Sequence, residues 1–204
     1  MRPGRRSVRT LALTLAAVTI AAMTTGCAAT RELAAMRQVA FSYDRISGAA
    51  IAGVSLSGIN SYDDIRPADV ARLGIAIALK DVPLDLTVHL AALNPKTNDV
   101  TARMTALDWS YLVDGGEVVS GRLTEPQAFP PGEPRDVPLV VTVNLVRFFG
   151  SDGRSLLETA LVLAGQRTST KKVTMRLTPY IETRGGTIRY PVPIDLDLSS
   201  AQPR

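Results

Sequence analysis

Leu84-Asp85-Leu86-Thr87-Val88-His89-Leu90 alternates apolar and polar side chains without a break. Successive side chains of a strand point to opposite faces. This period of two therefore sets the leucines and Val88 against a core, with Asp85, Thr87, His89 and the following Ala91 toward solvent or a second layer. The same rhythm extends in both directions along the chain. Val39 to Leu56 alternates around Gly48 and Gly53 and reads as a strand or hairpin. Thr101 to Val113, the turn Asp114-Gly115-Gly116 and the return Glu117 to Thr124 make a hairpin.

Between Pro126 and Pro134 lie Pro130, Pro131 and Gly132. Prolines lack the donor that a central ladder requires, so this stretch is expected to cross between sheets. Val137 to Val146 is the next strand, and Lys172 to Glu182 pairs with Thr187 to Leu198 across Arg184-Gly185-Gly186.

Two segments break the rhythm. Pro67 to Lys80 has Pro at the first helical position, Asp69 in the first turn and Val70, Leu73 and Ile77 on one face, which predicts a helix. Ser155-Leu156-Leu157-Glu158 reads as a capping box and Gly165 as the stop of a second short helix, with Leu157 and Leu161 on its stripe. The expected class is mainly β, an antiparallel β-sandwich with two short helices.

Upstream, Arg2, Arg5, Arg6 and Arg9 precede the apolar run Leu11 to Met23, the layout of a secretory signal. The run is shorter than the roughly 20 residues of a spanning helix. Thr24-Thr25-Gly26-Cys27 resembles the lipobox of bacterial lipoprotein precursors, with Thr24 where the commonest form has a larger apolar residue. The resemblance implies cleavage after Gly26 and diacylglycerol on the Cys27 thiol. Ordinary secretory cleavage would leave Cys27 a free thiol. Ala28, rather than Asp, resembles the outer-membrane class, which implies an envelope address facing the periplasm if the host has two membranes. Residues 1–26 are thus read as a cleaved signal, 27–38 as a lipidated tether with a weak helical pattern, and 39–204 as one domain.

The chain holds 23 Lys and Arg against 19 Asp and Glu. The whole excess is the four signal arginines; without them 19 residues of each sign remain, and no basic field is left for nucleic acid. The 178 residues remaining of 204 suit a single core. The one cysteine is Cys27, so no internal disulfide contributes.

The ordered series Asn94-Pro95-Lys96-Thr97-Asn98, Leu107-Asp108-Trp109-Ser110-Tyr111, Ser120-Gly121 and Pro130-Pro131-Gly132 resembles the type 2 late embryogenesis abundant family, clearest from Val82 to Leu145. Asn-Pro-Lys stands where the family has Asn-Pro-Asn. The resemblance implies a sandwich of immunoglobulin or fibronectin type III topology and a link to desiccation or water stress. It brings no catalytic residue. Read from the residues alone, Asn94-Pro95 is a turn.

No cofactor, metal or catalytic residue is expected. His89 is the sole histidine and is read as a surface residue, since no sequence motif pairs it with a nucleophile. Ser169-Thr170-Lys171-Lys172 matches Ser-x-x-Lys but leads into a strand. Asp195 and Asp197 share a strand face, where solvation outweighs cation binding as an explanation. Trp109 and Tyr111 share a face as core, or as a platform for an apolar ligand. The leading role is that of a non-enzymatic, lipid-anchored envelope protein that binds or shields envelope components. Its partners would be the membrane, through the acyl chains, and an envelope protein or lipid. The alternative is a carrier or sensor of a lipid or other apolar ligand, and a hydrolase ranks third.

Overall fold

In the computed structural model, residues 31–167, 171–183 and 185–198 are described. The strand centred on Val88 is β3, Pro83–Leu93, and its inward set Leu84, Leu86, Val88 and Leu90 is at most 3% exposed. It lies between β1, Ala40–Ile51, and β7, Pro134–Asn144, both antiparallel to it. With the two-residue β2, Val54–Ser55, they make a sheet of order β2-β1-β3-β7.

The second sheet is built on the predicted hairpin of β4, Ala102–Val113, and β5, Gly116–Leu123. Its order is β10-β8-β4-β5, with β8 at Val173–Thr183 and β10 at Ile194–Asp197. The short β6, Gln127–Phe129, continues β5's side of β4, and β9, Gly186–Arg189, pairs with β8. Leu107, Trp109, Tyr111 and Val113 from β4 meet the β3 leucines in one core, with Val173, Met175 and Leu177 from β8. The expected antiparallel β-sandwich is the architecture observed.

The proline-rich stretch does cross from one sheet to the other, since β6 belongs to the second and β7 to the first. β7 begins at Pro134, earlier than expected, and ends at Asn144 where a helix takes over. It is an edge strand, and there a missing N–H that faces solvent costs no ladder bond.

The last strand was expected to run unbroken from Thr187 to Leu198. It divides instead. Tyr190 to Pro193, with Pro191 and Pro193, loops out against Thr178 and Pro179, leaving β9 opposite one end of β8 and β10 opposite the other. Two prolines within four residues leave too few donors to continue the ladder.

Helices are more numerous than the two expected. Residues 31–38 form α1, Pro67–Ala78 is α2, Leu145–Phe149 is α3 and Gly153–Leu163 is α4, with a 3-10 turn at Tyr62–Asp64. The cap of α4 is Asp152, whose carboxylate accepts the Ser155 N–H at 2.9 Å, so the helix starts earlier than the Ser155 box suggested. Asp152 places a negative charge at the positive helix end as well as accepting an orphan amide. Gly165, at φ +70°, follows its end as expected. The turn around Gly165 lies near Tyr43 and Ile46 of β1, while the Leu163 carbonyl accepts the Tyr111 hydroxyl of β4 at 3.0 Å. α4 therefore closes one opening between the sheets.

The segment read as a tether is, from residue 31 onward, part of the folded body. Ala35 and Met36 are 2% and 3% exposed in the core. Burying one such methionine is worth about 1.5–3 kcal/mol.

Candidate functional site: the outer face of the four-stranded sheet

β3 turns Asp85, Thr87, His89 and Ala91 outward, and its neighbours on both sides do the same with their polar residues. β1 reaches this face through a register shift at Asp44, after which Arg45 lies directly opposite His89 and Ser47 opposite Thr87. A second shift follows Ser47, with Gly48 and Ala49 out of step with β3. Bulges of this kind re-aim side chains and are frequent beside functional sites. On the other flank Pro138 is opposite His89 and Asp136 is opposite Ala91.

The consequence is a diagonal line across three strands. Ser47 Oγ is 2.8 Å from His89 Nε2, and His89 Nδ1 is 2.8 and 3.0 Å from the two Asp136 carboxylate oxygens. A carboxylate only accepts, so Nδ1 carries a proton, and in the neutral imidazole Nε2 is then the acceptor for the Ser47 hydroxyl. Arg45 Nη2, 3.1 Å from Nδ1, is then a second donor facing a donor. Its hydrogen bonds go to Asp136 at 3.5 Å and, through Nη1, to Asp44. The His89 side chain is 13% exposed, with Ser47 open to solvent beside it.

Sequence reading took His89 for an isolated surface residue without a nucleophile. The structure corrects that: a hydroxyl, an imidazole and a carboxylate are joined in the order that lets the imidazole accept a hydroxyl proton. Ser47 and Asp136 were missed because they are separated from His89 by 42 and 47 residues. Only strand order and register unite them.

The other residues singled out fall elsewhere. Thr24, Thr25, Gly26 and Cys27 lie outside the described residues, as does Ser169. Asp195 is held by Arg176, directly opposite on β8, through two hydrogen bonds of 2.8 and 2.9 Å; this pairing holds its carboxyl below the ordinary value. Among the described residues no group of three His, Cys, Asp or Glu side chains could hold a metal. No helix among them is long and apolar enough to cross a membrane.

Trp109 and Tyr111 point into the core. Tyr111 is fully buried, and burial pushes its phenol well above the ordinary value. The Trp109 indole lies across Gly121, where a Cβ would come within 2.4 Å of the ring. Both rings pack against the protein itself, so they present almost no surface as a ligand platform.

Asn94 does more than turn the chain. It is fully buried, donates through Nδ2 to Phe129 O at 2.7 Å and Val100 O at 3.0 Å, and accepts from Asn98 Nδ2 at 2.7 Å. Asn98 Nδ2 also reaches Ala35 O at 3.0 Å, which fastens α1 to the end of β3. The turn itself is closed by the Asn98 N–H on Pro95 O. An asparagine at each end of Asn94-Pro95-Lys96-Thr97-Asn98 was the available signal for this clasp.

No protein-family model matches the chain, and no curated protein does. Among solved structures it is similar to a crystal structure of a protein from Archaeoglobus fulgidus, at 11% identity and a TM-score of 0.36, over 76% of this chain and 94% of that one. It is also similar to the solution structure of a candidate late embryogenesis abundant (LEA) protein, at 10% identity and a TM-score of 0.39, over 93% of this chain and 85% of that one.

Proposed function

We propose that this chain is a lipid-anchored cell-envelope protein that carries its β-sandwich close against a membrane, where the domain binds or shields envelope components. The observation that carries the reading is the arginine cluster, the short apolar run and Thr24-Thr25-Gly26-Cys27, followed within four residues by a helix docked on the domain. Acyl chains on Cys27 would hold the protein, at about 0.8 kcal/mol per buried CH₂, and two or more chains make such anchoring stable. From Cys27 to Arg31 the chain spans four residues, at most about 14 Å when extended. The Asn94 and Asn98 clasp on α1 keeps the lead that short. The motif order from Asn94 to Gly132 adds water stress as the setting, by resemblance to the type 2 late embryogenesis abundant family.

Replacing Cys27 by Ser tests the anchor. Intact mass and membrane fractionation should find the parent processed, acylated and membrane-bound, with Cys27→Ser left as precursor or released. A Cys27→Ser protein processed and retained like the parent overturns the reading. Native mass spectrometry of the protein taken from its own membrane then identifies what it carries or contacts.

A further inference from the structure

We propose that Ser47, His89 and Asp136 form a nucleophilic serine site that transfers acyl groups from carboxylic esters. The inference is independent of the anchor, since it rests on side chains of the described domain.

The arrangement has the contacts of an activated hydroxyl, with the Arg45 guanidinium held off the imidazole by its pairing with Asp136 and Asp44. The base is in contact with the nucleophile, at 2.8 Å from Oγ to Nε2, and the carboxylate holds the opposite nitrogen at 2.8 Å. That contact selects the tautomer whose Nε2 is free to take a proton, and its charge stabilises the imidazolium that follows. The nucleophile is exposed and the base is mostly covered, so an ester can reach Ser47 while His89 keeps its orientation. The cross-strand row that contains Ser47 continues through Thr87 to Val140, which is 72% exposed, and carries no charge. Arg45, Asp44 and Asp136 lie to one side of it, and Asp85, which accepts the Thr142 hydroxyl at 2.7 Å, lies to the other. An ester with an uncharged, apolar acyl group matches that strip.

In the reaction, Ser47 Oγ bonds to the acyl carbon as its proton passes to Nε2. The carbon–oxygen bond to the alcohol breaks, and the leaving oxygen takes that proton. Water then attacks the acyl-serine, gives a proton to Nε2, and Ser47 departs with it, releasing the carboxylic acid. Asp136 and Nδ1 exchange no proton in either half.

The test uses the full chain as its own host produces it, purified from whichever fraction holds it, with a fluorophosphonate probe and a p-nitrophenyl ester of a short fatty acid. Peptide mass mapping should find the phosphonyl adduct on Ser47, formed at least about 100-fold faster than on other serines. Ser47→Ala and His89→Ala should each abolish the adduct and the ester turnover, and Asp136→Asn should slow both by about tenfold or more. Ser110→Ala, on the second sheet, should change neither. Near-ultraviolet circular dichroism from Trp109 verifies that each variant is folded; Asp136→Asn, nearly isosteric, decides the matter if His89→Ala is not. Absence of a Ser47 adduct in the parent, or an unchanged adduct rate in folded His89→Ala or Asp136→Asn, overturns the proposal.

Discussion

The two sheets treat charge on their outer faces in opposite ways. On the six-stranded sheet, Asp108 lies directly opposite Arg122 and Asp195 directly opposite Arg176, each pair two-pronged, with the Tyr180 hydroxyl also donating to Asp108 at 3.0 Å. Those charges neutralise each other within a single cross-strand row. On the four-stranded sheet, the row of His89 holds Arg45 on one side and Pro138, with no polar side chain, on the other. The imidazole instead finds Ser47 and Asp136 along the diagonal. Opposed neighbours make closed pairs, whereas a diagonal across three strands can chain a hydroxyl to an imidazole to a carboxylate. The lesson is one of register: side chains that meet within a row close into pairs, whereas those that meet between rows can link into a line across three strands.

That contrast predicts where substitutions act. The largest stability loss should come from the interior of the six-stranded sheet. Trp109→Ala removes a buried indole and should cost about 3–5 kcal/mol in a urea unfolding experiment. Gly121→Ala, by driving a methyl into the same ring, should cost about 1–3 kcal/mol. A Trp109→Ala loss within about 0.5 kcal/mol would mean that the ring is not part of the core.

Next in size is the clasp at the end of β3. Asn94→Leu removes the hydrogen bonds to Phe129 O, Val100 O and the Asn98 amide; Asn98 still donates to Ala35 O and the Val100 contact is only partly buried, so the expected cost is about 1–3 kcal/mol, that of the orphaned Phe129 O. Amide hydrogen exchange should accelerate in α1 before the sheets open. Exchange that rises uniformly over the domain would show that α1 is not separately held by this contact.

The smallest effect belongs to the closed charge pairs. Hydrogen bonding from Arg122 holds the Asp108 carboxyl below its ordinary value. A carboxylate depressed on folding contributes stability above its unfolded pKa of about 3.9, and that contribution is lost as pH falls through the lower folded value. Asp108→Asn should therefore cost about 0.2–1 kcal/mol near neutrality, and the gap to the parent should close as pH falls through the lowered folded value. A gap that persists at low pH would assign the effect to the Tyr180 contact instead. Against these losses, Ser47→Ala and Asp136→Asn, at exposed positions, should change stability by less than about 0.5 kcal/mol, which is the sharpest form of the contrast between the two faces.

Strand rhythm made most of the architecture legible in advance. The alternation through Leu84 to Leu90, the hairpin at Asp114-Gly115-Gly116 and the helix from Pro67 depend on local period and turn chemistry, and each stands where it was read. Edges were less legible. Pro191 and Pro193 divided a strand, and Asp152 displaced Ser155 as a cap, because a break or a cap depends on which neighbour is present to accept or donate. The weak helical pattern before Val39 did not disclose that Ala35 and Met36 dock in the core, since their partners are supplied by distant segments.

The sequence by itself determined a β-rich chain with paired apolar faces, a core-sized store of leucine and valine, and an arginine cluster and short apolar run ahead of Thr24-Thr25-Gly26-Cys27. These are properties of order along one chain. Tertiary structure alone decided that Asn94 and Asn98 satisfy each other and clasp α1, and that Ser47, His89 and Asp136 meet. A hydrogen bond needs approach within about 3 Å, and residues from three strands reach that distance only after strand order and two bulges in β1 have set the register.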